Sequence, residues 1–172
     1  PSVLKGCPEG TFYDCCALEN VKIPAAPETI AVNTFWNCQS LKAVDIPESV
    51  VRIDNGAFFM TGLNSIEIPA SVTYIGEQAF VNCNVLSAVI VNWERPITIS
   101  SLVFREKEDS KNTIDKLYVP AGAKSAYKVS TAWSVFENII EANLGNYFAV
   151  NDKKVNAGTS FTLPIEMVNK DE

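Results

Sequence analysis

The sequence predicts a β-rich (α+β) solenoid in which short parallel strands stack coil upon coil, and three observations predict it. An apolar motif returns every 22 to 23 residues, led by Leu18, Leu41, Leu63 and Leu86, closed by Ile23, Ile46, Ile68 and Val91, and accompanied by Phe12, Phe35, Phe58 and Phe80. A fixed period of this length marks a stacked architecture in which each unit needs its neighbours to bury its apolar face. Within a unit, Leu41, Val44 and Ile46 point one way and Ala43 and Asp45 the other, the alternation of a half-buried strand. Pro24, Pro47 and Pro69 then follow the strand, and proline, which has no N–H to donate to a ladder, marks the corner where the chain leaves the sheet.

Each element follows in order from this unit. A second apolar pair, Val50 and Ile53, matched by Val72 and Ile75 and by Ile30, forms the second wall of the coil. Asn55-Gly56 and Gly76 punctuate the turn that leads to Ala57-Phe58 and Ala79-Phe80, whose rings fill the interior near the third corner. The third unit is one residue short because Thr61-Gly62 stands where the others carry Cys and two more residues, and glycine permits the tighter turn. After Val91 comes an insertion, residues 92–96, and then Ile97, Ile99 and Phe104 resume the register. The charged stretch 105–111 reads as a solvated loop. Leu117-Tyr118-Val119-Pro120 is the last rung; a short helix within 121–134, then Trp133, Val135 and Phe136, serve as a cap over the open end. A lone coil buries too little apolar surface to offset the ordering of its backbone, so stability must come from ladders and stacking.

This assigns 1–141 to the solenoid with its C-terminal cap and 142–172 to a short β tail, where Phe161, Leu163, Ile165 and Met167 alternate strictly. About 30 residues cannot build a sandwich of about 100. The tail is therefore either the start of a truncated module or an addition docked on the repeats.

Composition excludes several functions. Fourteen Lys plus Arg against 20 Asp plus Glu give a net charge of −6, which leaves no basic patch for nucleic acid. No apolar run approaches the roughly 18 residues of a membrane span, so no membrane insertion is expected of these residues. With no histidine, a Ser-His-Asp arrangement is excluded in its usual form, and Cys15-Cys16 lacks the gap that would let both thiolates reach one tetrahedral zinc. Cys15, Cys38 and Cys83 each sit three residues after a repeat phenylalanine, so their spacing reads as buried thiols of the repeat. Gly56 and Gly76 are isolated turn residues, not a phosphate-cradling loop. No catalytic residue, cofactor or metal ligand is expected. Asp45 and Glu67, on adjacent rungs, and Glu106, Glu108 and Asp109, in the charged loop, read as solvated carboxylates.

The string running Ile68-Pro69-Ala70-Ser71-Val72-Thr73-Tyr74-Ile75-Gly76-Glu77-Gln78-Ala79-Phe80-Val81-Asn82-Cys83 closely resembles the BspA-type leucine-rich repeat. The resemblance covers roughly Gly10 to Val91, with a degenerate rung to about Pro120, and Ala26-Pro27 departs from the usual Ser-Val. It implies a leucine-rich-repeat solenoid, exported and displayed on the surface of anaerobic bacteria, its leader removed. It further implies a non-enzymatic role in adhesion, with a host matrix protein or a bacterial surface protein as partner. Weaker likeness around Val155-Asn156-Ala157-Gly158 and Phe161-Thr162-Leu163-Pro164 points to the opening strands of a cohesin-like or immunoglobulin-like module.

The candidate partner-binding surface is the outward stripe of the first strand, Lys22, Asp45, Glu67, Ile90 and Tyr118, with Trp93 on the adjoining insertion. Ile90, Tyr118 and Trp93 are expected to make an exposed aromatic and aliphatic patch of the kind that anchors a protein. The alternative is that Trp93 folds back as internal packing. Trp36, next to Phe35, reads as rim packing, and Trp133 belongs to the cap. A rigid spacer presenting other modules and a glycan-binding module are the alternative functions.

Overall fold

The computed structural model describes residues 8–106 and 114–142. The first wall of the solenoid is built by β1 (Asn20–Lys22), β3 (Ala43–Asp45), β5 (Ser65–Ile68), β7 (Ala88–Val91), β8 (Lys116–Pro120) and β9 (Asn138–Ala142). The second is built by β2 (Thr29–Ile30), β4 (Arg52–Ile53) and β6 (Tyr74–Ile75), and one helix, α1 (Lys124–Val129), lies between β8 and β9. Every pairing is parallel, in the orders β1-β3, β2-β4-β6 and β5-β7-β8-β9. The expected stacked-coil fold is the observed one.

The repeat leucines and the strand-closing residues form columns. Leu41, Leu63 and Leu86 are fully or nearly fully buried, as are Ile68, Val89, Val91, Leu117 and Val119. The phenylalanines stack in a single pile, with ring centroids 5.3 Å apart from Phe12 to Phe35, 5.2 Å from Phe35 to Phe58, 5.3 Å from Phe58 to Phe80 and 5.6 Å from Phe80 to Phe104. Ile97 and Ile99 pack against this core without entering a strand.

The third corner has a chemical rule that the spacing alone does not display. The residue two before each phenylalanine and the residue two after it take positive φ: Gly10 and Asp14, Asn33 and Asn37, Gly56 and Met60, Gln78 and Asn82. Glycine, asparagine and aspartate tolerate this region best, and they fill six of the eight places. Gly62 is required for a different reason. Its φ is not positive, but a Cβ there would lie 2.0 Å from the Gln39 carbonyl oxygen of the preceding coil. Thr61, in the cysteine position, donates to Phe58 O at 3.0 Å and touches Cys83 Sγ at 3.2 Å. The cysteines beside it are free thiols: Cys38 Sγ donates to Phe12 O and Cys83 Sγ to Phe58 O, each at 3.0 Å. Burial raises both thiols, Cys38 to about 11.

The C-terminal end departs from the reading in which Pro120 closes the last rung. After α1 the chain returns to the first wall as β9, five residues in parallel register with β8. Phe136 occupies the position held by leucine in earlier coils, two residues before its strand, and is buried. Ile114 does the same before β8. The cap is therefore a helix and a further rung. α1 lacks a side-chain cap at Ala123, and Glu141 of β9 supplies one by accepting from the Lys124 N–H at 2.9 Å. The expected β tail lies outside the described residues beyond Ala142, as do Cys7 and most of the charged loop.

Candidate interaction surface

The strand register brings most of the predicted stripe into line. Lys22 pairs with Asp45, Glu67 with Ile90, and Ile90 with Tyr118, and the column continues to Ile140 of β9. Its two halves differ in exposure. Lys22 and Asp45 face solvent and Glu67 is half-buried, whereas Ile90 and Tyr118 are only 5% and 6% exposed. Ile90 and Tyr118 join Ala88, Ala142 and the partly buried Ile140 in a second apolar cluster, separate from the main core. The expected exposed patch at this end is therefore not an open surface.

Trp93 corrects the reading further, because it is internal packing. Its ring is buried in the main core, and its Nε1 donates to Val72 O at 2.9 Å and to Ala70 O at 3.2 Å, the backbone of the preceding coil. Its own carbonyl accepts from Tyr127 Oη at 2.9 Å, and its ring lies tilted against Trp133 at 5.8 Å. An indole that buries its body and satisfies its N–H on backbone is held where it is. Burial pushes the Tyr127 phenol well above its ordinary range. Trp133 closes the pile as expected of a cap residue: its ring lies 5.7 Å from Phe104, and its Nε1 donates to Ile97 O at 2.8 Å.

At Glu67, burial raises the carboxyl, Asn92 partly opposes this by donating to Oε1 at 2.9 Å, and the charges of Asp45 and Glu48 raise it further. This is a half-buried acid beside like charges. Among the described residues no group of three or more His, Cys, Asp or Glu side chains is placed to hold a metal ion.

An aromatic surface that the stripe missed runs along the third corner. Tyr13, Trp36 and Phe59 each follow a repeat phenylalanine, and as the phenylalanine points inward its neighbour points outward. They stack in register, Tyr13 on Trp36 at 6.2 Å and Trp36 on Phe59 at 3.8 Å. Tyr13 is 54% exposed, and Trp36 and Phe59 are partly so. Gly56 makes room for Trp36, since a Cβ at that position would stand 2.9 Å from the indole carbons. A polar chain flanks the ladder: Gln39 donates to Asn37 at 2.8 Å and Asn37 to Asp14 at 2.5 Å. The signal for this ladder is present in the sequence as three Phe-aromatic pairs at the repeat spacing, Phe12-Tyr13, Phe35-Trp36 and Phe58-Phe59. On the adjoining wall Arg52 lies over the Tyr74 ring at 3.8 Å and pairs with Asp54, adding a charged and aromatic edge.

These coils, columns and corner turns define a leucine-rich-repeat solenoid. The chain belongs to the BspA type leucine rich repeat family, whose model matches six copies over residues 5–126. Among solved structures, it is similar to a leucine-rich repeat protein from Bacteroides ovatus, with 22% identity, a TM-score of 0.44 and coverage of 65% of this chain and 36% of that one. It is also similar to a leucine rich cell surface protein from Faecalibacterium prausnitzii, with 24% identity, a TM-score of 0.49 and coverage of 77% and 43% respectively. The chain thus spans less than half the length of either structure. No curated protein matches it in sequence.

Proposed function

We propose that this chain is a non-enzymatic protein-interaction module displayed on a bacterial cell surface, and that it contacts its partner through the Tyr13, Trp36 and Phe59 ladder. The observation that carries this reading is the stacking of the exposed Tyr13 with the partly exposed Trp36 and Phe59 in coils whose core needs are already met by the phenylalanine pile. Rigid aromatic side chains supply large contact area at low entropic cost, which is why they dominate protein interfaces. The partner is a host matrix protein or a surface protein of another bacterium, the setting that membership of this repeat family supports.

Binding of the full chain to immobilised host matrix proteins and to whole bacterial cells tests the proposal, with Tyr13→Ala and Trp36→Ala beside the wild type. Truncating a central aromatic anchor costs about 2 kcal/mol or more, a loss of about thirtyfold in affinity. Variants that keep their melting temperature but lose binding support the ladder; undiminished binding in both removes it. Binding to no protein or cell assigns the chain to a spacer role, and binding confined to a glycan array assigns it to sugars.

A further inference from the structure

Carboxylates flank the aromatic ladder without cations to pair with them. The corner hydrogen bonds, among them Gly10 N–H to Val32 O, Asn33 N–H to Asn55 O and Gly56 N–H to Glu77 O, lay equivalent residues of successive coils one over another. They place Glu9 and Glu77 in one column beside the ladder, and Asp14 and Glu106 in the column on its other side. All four carboxylates belong to exposed residues. The ion pairs among the described residues are Arg52 with Asp54 and Lys116 with Asp115, and neither involves these acids. Arg105, at the far end of the aromatic column from Tyr13, turns its Nε–H to Ser101 O at 3.0 Å.

The second wall shows what completes such an arrangement. There the Arg52 guanidinium lies 3.8 Å from the centroid of the Tyr74 ring and pairs with Asp54, so that one cation serves an aromatic face and a carboxylate together. Tyr13 and Asp14 form the same aromatic and acidic pair without a cation among the described residues. Tyr13 is 54% exposed and stacks on Trp36 alone among the described rings, which leaves its other face without a ring upon it. Asp14 accepts from Asn37 Nδ2 and from Cys16 Sγ, both on Oδ1, and among the described residues no donor reaches Oδ2. Resting on the ladder as the partner surface, we propose that the partner meets this corner with an arginine-bearing segment, one guanidinium lying on the free face of Tyr13 and pairing with the Asp14 carboxylate, while Glu9 adds negative charge beside it. Arginine suits the place better than lysine, because its planar head stacks on a ring while its edge donates two parallel hydrogen bonds to a carboxylate.

The test titrates the full, nitrogen-15-labelled chain with the peptide acetyl-Gly-Arg-Gly-Arg-Gly-amide and with its citrulline counterpart, which keeps the planar head and removes the charge. Binding is followed by nuclear magnetic resonance at the backbone amides and the Trp36 indole N–H. The arginine peptide is expected to shift the Tyr13, Asp14 and Trp36 signals, and the citrulline peptide to bind about fivefold or more weakly. The double variant Glu9→Gln, Asp14→Asn should lose a similar factor for the arginine peptide. Asparagine at 14 keeps an oxygen to accept from Asn37 and tolerates the positive φ of 59°, so the turn survives the change. Equal affinity for the two peptides overturns the proposal, as does undiminished binding by the variant or a set of shifts confined to the carboxylates of the first wall. If the double variant melts early, Glu9→Gln alone and the peptide pair decide by the same criteria. Capture by matrix proteins or cells then separates this proposal from the reading beneath it. Binding that Tyr13→Ala abolishes and Glu9→Gln, Asp14→Asn leaves intact keeps the ladder and rejects the arginine; loss in both variants sustains the arginine, and binding indifferent to both rejects ladder and arginine together.

Discussion

Coils one to four and the C-terminal end use the same residue types in opposite ways. In the early coils the phenylalanine rings lie nearly parallel, between 4° and 13° apart, and repeat one interaction along the axis. At the end most ring pairs cross: Phe104 meets Trp133 at 58° and Phe136 at 77°, and Tyr127 meets Trp133 at 76°, while Trp133 and Phe136 stay within 21° of parallel. Parallel stacking extends without limit and leaves an open ring at each end, whereas crossed rings present edges to faces and close the pile. The surplus aromatics follow the same division. Tyr13, Trp36 and Phe59 lie outside a complete core and form surface, while Trp93 and Trp133 complete an interrupted one and are consumed by it.

The largest test of that comparison sets Phe58→Ala in the pile against Trp133→Ala at the closure. Both rings are fully buried, and truncation of such a residue costs about 3 to 5 kcal/mol. Trp133→Ala should cost at least as much as Phe58→Ala, because it also leaves the Ile97 carbonyl without its donor. Denaturant unfolding measures both. A Trp133 variant close to wild-type stability means the crossed rings are trim and not closure, and an unaffected Phe58 variant dismantles the core itself.

A smaller effect probes how closely the early coils are laid together. Gly62→Ala drives a methyl group onto the Gln39 carbonyl, which is backbone and cannot rotate away, so a loss of about 1 to 3 kcal/mol is expected. The loss should appear as a lowered denaturation midpoint with little change in slope. No loss places the third coil farther from the second than its contacts describe.

The fold was legible in the sequence because a repeat states each packing decision several times over. Leu41, Leu63 and Leu86 could be aligned without knowing what they touch. The last rung was not legible: Phe136 replaces leucine, β9 lacks the closing Ile-Pro, and α1 interrupts the period. The surface was legible only in part. Periodicity reports which way a side chain points, and it placed Ile90 and Tyr118 correctly on the outer face, but it carries no information on what lies over that face. Trp93 escaped for a related reason, since residues 92–96 sit outside the period and their direction is set by the backbone acceptors of Ala70 and Val72.

The finest distinction between the regions concerns Glu67, the residue at which the outer column passes from polar to apolar. Burial raises its carboxyl above the ordinary value, so the folded chain holds this proton more tightly than the unfolded chain does. Stability then falls as pH rises from the unfolded carboxyl's range through the raised folded one, the reverse of the behaviour of an acid held in an ion pair. Glu67→Gln removes the ionisation while keeping an oxygen to accept from Asn92, and is expected to raise the melting temperature modestly at neutral pH and to leave it unchanged under acid conditions. Melting scans across that range decide the matter. A variant that melts below wild type at neutral pH would show that the charge is stabilised by its surroundings, and would move the boundary between wet and dry sheet face one coil toward the C-terminus.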